Sequence, residues 1–124
     1  MAAPNIVNVT LINANSNTQI LTSNNEIGLL SNPASSGKVY KVNTILVANK
    51  DGANAIDVTC NLWSQAALGG SSFPIAFTIS VPADATLILT DKSTSFYLEE
   101  NRSIGIKSGS ANGLSVLCSW EEIS

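Results

Sequence analysis

The sequence predicts an all-β domain, and three observations carry that prediction. Phe73, Ile75, Phe77, Ile79 and Val81 occupy every second position of one stretch, with Pro74, Ala76, Thr78 and Ser80 between them. An extended chain sends alternate side chains to opposite faces, so this spacing fits a strand and not a helix. Clusters of Asn, Asp, Gly, Ser and Pro punctuate the chain at spacings of roughly 8–12 residues, the rhythm of a sandwich or barrel. No helical stretch beyond a turn or two interrupts them, and no connection is long enough to join parallel strands. The expected architecture is a single antiparallel β-sandwich over residues 1–124, jelly-roll-like, with an immunoglobulin-like sandwich as the alternative. A chain of 124 residues has the size of one domain and can bury a core without disulfide staples.

Taken in order, Asn5 to Ile12 is expected as the first strand, with Ile6, Val7, Val9, Leu11 and Ile12 breaking strict alternation. Residues 1–8 are a possible N-terminal arm. Asn13, Asn15, Ser16 and Asn17 around Ala14 read as a turn, because Asn and Ser side chains bond their own backbone. Gln19 to Thr22 and Ile27 to Ser31 are short strands, followed by a loop that ends at Gly37. Lys38 to Asn49 is a strong strand whose second face turns apolar midway, as expected for a central strand covered on both sides. Asn49-Lys50-Asp51-Gly52 carries an Asp-Gly hairpin signal. The return strand is Ala55 to Ser64, with Ile56, Val58, Cys60 and Leu62 inward and Asp57, Thr59, Asn61 and Trp63 outward.

Gln65 to Ser72 reads as a flexible loop. The strand after it, Phe73 to Val81, turns its apolar set to the core and stops at Pro82-Ala83-Asp84-Ala85, since Pro cannot donate to a ladder. Leu87 to Leu89, Phe96 to Leu98, Ile104 to Ile106 and Leu114 to Trp120 complete the strands. Glu99-Glu100-Asn101-Arg102 is a tight turn between the second and third of these.

Composition narrows the function. Charged residues make up 12% of the chain, about half the usual ~25%, and Asn, Ser and Thr replace them. Such a surface suits packing against neighbours. A net charge of −3 and six scattered cations give no basic stripe for nucleic acid. No apolar run approaches the ~20 residues of a membrane span. The opening MAAPNIVNV lacks the basic start and apolar stretch of a signal peptide, so a protein made and kept in a cytoplasm, or released by lysis, is expected.

The sequence contains no histidine, which excludes Ser-His-Asp and Cys-His catalysis within one chain. Cys60 and Cys118 are expected as buried thiols, a bond between them being the sharper alternative. Two thiolates are too few for structural zinc. The carboxylates fall mostly in turns, and Asn49, Asp51 and Asp57 match no calcium loop. No enzyme activity, metal or cofactor is therefore expected. Trp63, on the polar phase of its strand, is an interface anchor or, less simply, a platform for sugar.

The segments Ile79-Ser80-Val81-Pro82-Ala83-Asp84-Ala85-Thr86-Leu87, Tyr97-Leu98-Glu99-Glu100-Asn101-Arg102-Ser103-Ile104 and Ser119-Trp120-Glu121-Glu122-Ile123-Ser124 carry a resemblance. Together with Met1 to Val9 and Asn32 to Tyr40, they resemble small virion structural proteins of marine tailed phages, notably cyanophages. The resemblance spans nearly the whole chain. It departs at Glu100-Asn101-Arg102, where that family's turn runs Glu-Gly-Asp, and a changed turn type is expected there. What it implies is a virion location and a structural role, without catalytic residues. Small acidic all-β phage proteins are often head decoration (cement) proteins, so the expectation is a homotrimer bound to the major capsid protein. Ile6, Val7 and Trp63 are the candidate interface residues. A neck, tail or fibre component is the runner-up, and a carbohydrate-binding module the third reading.

Overall fold

The structure, a computed structural model, describes residues 7–124. Among them nine strands form two antiparallel sheets: β1 (Ile12–Ile20), β2 (Ile27–Asn32), β3 (Val39–Asn49), β4 (Ile56–Gln65), β5 (Gly69–Val81), β6 (Thr86–Thr90), β7 (Phe96–Leu98), β8 (Arg102–Ser108) and β9 (Leu114–Ile123). One sheet runs β1-β9-β3-β6, with β7 also on β3, and the other runs β2-β8-β4-β5. Two 3-10 turns, Ala66–Leu68 and Lys92–Thr94, are the helical content of the described residues.

The pairings nest. β1 lies on β9, β2 on β8, β3 on β6 and β7, and β4 on β5. A long hairpin with its tip between β4 and β5, rolled so that successive pairs alternate between sheets, gives this order. It is the jelly roll, not the immunoglobulin-like pairing. Val42, Ile45 and Val47 from β3, with Val116 and Cys118 from β9, meet Val58, Cys60, Ile104 and Ile106 of the other sheet in one buried core. Cys60 and Cys118 are both free, and burial pushes each thiol up to about 12.

β3 changes its buried phase along its length. Tyr40 and Val42 are buried near its start, Ile45 and Val47 further on. A register shift against β9 between Val42 and Thr44 inserts Asn43 and flips the strand's faces. The apolar switch in the sequence therefore marks a bulge, not burial of both faces.

Four further expectations are corrected. Among the described residues the first strand is Ile12–Ile20, and Val7 to Leu11 of the expected Asn5 to Ile12 strand lie outside any strand; Asn5 and Ile6 lie outside the described residues. The presumed turn, Asn13 to Asn17, sits inside β1, in unbroken register with β9 from Ile12↔Ile123 to Ile20↔Ser115. The backbone ladder with β9 prevails over local Asn preference, and Asn15 and Asn17, opposite Trp120 and Cys118, are half-buried within it.

The Asp-Gly hairpin also does not form, since β3 and β4 belong to different sheets. Asn49 decides this locally. Its buried amide donates to the carbonyls of Asn54 and Val81, both at 2.9 Å, and its carbonyl oxygen accepts the Asp51 N–H at 2.9 Å. A second buried amide, Asn32, donates to the carbonyls of Lys38 and Leu98 at 3.0 and 3.1 Å and accepts the Ser36 hydroxyl. Each satisfied Asn clamps a crossing loop between sheets. At Asn101 the backbone is left-handed, with φ of 56°. Asn is among the few residues other than Gly that tolerate this conformation.

Fourth, the apolar set of β5, Val81 apart, does not face the core. Its placement is the structural basis of the candidate site.

Candidate functional site: an apolar sheet edge

β5 is the edge of the four-stranded sheet, paired on one side with β4. Its thirteen residues lie along a ten-residue partner, and three register shifts take up the excess: opposite Val58/Cys60, Cys60/Asn61 and Trp63/Gln65. Each bulge breaks the period-two relation between sequence and face. Only Ala76 and Val81 of this strand are buried. Phe73 is 57% exposed, Ile75 48%, Phe77 67% and Ile79 41%. Thr78 stands at the first bulge with φ of 46°, and its N–H donates to the Thr59 hydroxyl at 3.0 Å. That bond holds the irregular segment against β4.

The neighbouring edge strand β6 contacts β5 and exposes Ile88. At the other end of the row, Phe73, Leu62, Trp63, Ser64 and Arg102 line a depression of about 290 Å³. Arg102 Nη1 donates to the Ser64 carbonyl at 2.6 Å, closing its floor. Together these four large side chains, Phe73, Ile75, Phe77 and Ile79, each about half exposed, leave roughly 400 Å² of apolar surface open along the edge.

Trp63 is half-buried and fixed. Its indole N–H donates to Glu26 Oε2 at 2.7 Å, and the Asn61 amide donates to the same oxygen at 3.1 Å. Gly105 makes room for this carboxylate, since a Cβ there would overlap it. Trp63 thus lies at the rim of the β5 depression in one orientation. Val7 is 92% exposed, and Ile6 lies outside the described residues. The structure does not bring Val7 and Trp63 into one lining: Val7 precedes β1, an edge of the opposite sheet. Sequence reasoning named the strand of Phe73 but aimed it at the core. Pro74 inside the run was the available signal, since Pro within a strand points to an edge.

Asp51 is held below the usual carboxylate range by the backbone N–H groups of Ala53 and Asn54, and Asp91 by the Ser93 hydroxyl and N–H. Both carboxylates are spent on turns. Among the described residues no group of three or more His, Cys, Asp or Glu side chains could hold a metal ion.

No protein-family model and no curated sequence matches the chain. Among solved structures it is similar to a subunit of the Bacillus endospore appendages, which form disulfide-linked pili. The identity is 13% and the TM-score 0.56, over 100% of this chain and 96% of that one. It is also similar to a chain of the T13 viral particle of IBDV, at 8% identity and a TM-score of 0.52. That likeness covers 93% of this chain and 31% of the other, so this chain spans about a third of that protein's length. A chain of the Ralstonia phage GP4 capsid aligns over 98% of this chain and 90% of its own length, at 12% identity and a TM-score of 0.47. At such identities the first two likenesses establish a shared fold.

Proposed function

We propose that this chain is a virion structural protein, a decoration protein that binds the outside of a tailed-phage head and holds neighbouring capsomers. The observation that carries the reading is the exposed row Phe73, Ile75, Phe77 and Ile79 on a sheet edge. Three copies packing their β5 edges around one axis bury that row and point three equivalent surfaces at the shell. Burial of roughly 400 Å² is worth about 10 kcal/mol at 25 cal/mol per Å². Association costs about 4–15 kcal/mol, so one contact alone barely holds, and repeated copies supply the rest. Either the N-terminal arm with Ile6 and Val7 or the face around Trp63 is assigned to the shell contact, with the major capsid protein as partner. The reading needs no cofactor, nucleic acid or membrane.

The test mixes purified protein with undecorated heads and follows co-sedimentation. Saturable binding is expected, weakened when Phe77→Ser abolishes the trimer. No binding to heads, with antibody label on tails instead, rejects the reading.

A second reading, a subunit of a tail, neck or fibre, draws support from the full-length likeness to a pilus subunit. Disulfide links of that kind have no counterpart here, because both cysteines are buried. Electron micrographs of the purified protein separate the two: discrete particles favour the head protein, and filaments favour the fibre.

A further inference from the structure

We propose that β1 is a self-recognition strand, which pairs antiparallel with β1 of a second copy about a two-fold axis through Ser16. This contact lies on another edge than β5 and does not rest on the trimer reading.

The first observation is the strand's sequence. INANSNTQI reads nearly the same in both directions from its centre. Ile12 matches Ile20, Asn13 matches Gln19, Ala14 matches Thr18, and Asn15 matches Asn17, each pair equidistant from Ser16. A two-fold contact requires such self-complementarity, because residue i meets residue j and j meets i. In this register Ile12 lies opposite Ile20 of the second copy at both ends, and Asn15 lies opposite Asn17. Amides carry both donors and acceptors, so the polar pairs satisfy one another.

The second observation is that this edge is open and undefended. Among the described residues β1 has β9 as its one ladder partner, in unbroken register. Exposed strand edges are normally blunted by charge, Pro or bulges. β5 carries Pro74 and three register shifts, β2 and β6 carry shifts, and β7 has only three residues. β1 has no charge, no Pro and no bulge over nine residues. Ile12, Ala14, Ser16, Thr18 and Ile20 are all exposed, the two isoleucines at 52% and 45%. The occupant that fits a chemically palindromic strand is another copy of itself.

A nine-residue ladder is small beside the ~1,200–2,000 Å² of a stable interface, so the association is weak and is best caught covalently. Ser16→Cys places two thiols directly across the axis, within the Cα separation a disulfide tolerates. Thr18→Cys places its two thiols four residues out of register, about 14 Å apart, too far to bridge. Because Cys60 and Cys118 are buried, the introduced thiol is the reactive one. Under mild oxidation Ser16→Cys is expected to form a disulfide-linked dimer at least about tenfold faster than Thr18→Cys. Equal rates, or no dimer from a folded Ser16→Cys protein, would overturn the proposal. Should Ser16→Cys not fold, Ala14→Cys mixed with Thr18→Cys must cross-link as a heterodimer, while neither does so alone. Residues 1–6 covering the edge would appear as an absence of cross-linking in both experiments, which also overturns it.

Discussion

The Asn49 side-chain amide donates to the Val81 carbonyl at 2.9 Å, so the last residue of β3 holds the last residue of β5 across the two sheets. This bond fixes where the apolar edge begins, since Val81 is buried and Ile79, two residues before it, is exposed. Asn49→Ala strands the carbonyls of Asn54 and Val81 and the N–H of Asp51. Urea denaturation is expected to show a loss of about 2–3 kcal/mol. A loss below about 0.5 kcal/mol would mean that the clamp is replaceable.

Thr78 is the strained point of the same edge. A left-handed backbone costs an L-residue about 1–2 kcal/mol, and Thr78 adopts it beside the bulge opposite Val58/Cys60. Thr78→Gly relieves that strain and keeps the N–H bond to Thr59, against a larger entropy loss on folding. The expected thermal melt moves up, by a gain of at most about 1 kcal/mol. A downward shift would show that the Thr78 side chain stabilises more than its backbone costs.

The pH dependence follows from two sets of groups. Cys60 and Cys118 stand at about 12 in the fold, above ~8.5 in the unfolded chain. A raised pKa gives stability that is complete below the unfolded value and lost as pH climbs to the folded one. The alkaline loss therefore runs from about 8.5 to about 12. Lys38, raised by its hydrogen bond to Glu122, acts in the same direction at higher pH. Asp51 and Asp91 are lowered, so their contribution is present above ~3.9 and lost as pH falls below it. Without histidine the stability profile is expected to be level between pH 5 and 8. Cys60→Ala lowers the whole curve but flattens its alkaline limb, and a limb of unchanged slope would contradict the assignment.

Much of this architecture was legible, and what was not has local causes. β3, β4, β8 and β9 could be read from apolar runs and alternation because central strands bury whole faces. β1 could not, because its inward positions hold Asn15, Asn17 and Gln19. The β3–β4 connection has the residues of a hairpin, yet the sheet its return strand joins depends on a bond from Asn49 to Val81, distant in sequence. The Phe73 strand was identifiable and Pro74 marked it as an edge, but its bulges, which decide which side chains are exposed, leave no mark in a period-two pattern. Trp63 was singled out, but its carboxylate partner Glu26, on a separate element, was not.

Phe77, at 67% exposure, offers the most direct test of the β5 edge as a contact surface. Sedimentation velocity of the native chain and Phe77→Ser, with melting curves of both, measures it. A trimer that becomes a monomer, still melting cooperatively but at a lower temperature because association no longer stabilises the fold, is the predicted result. A native chain that sediments as a monomer, or a variant that remains trimeric, would contradict it.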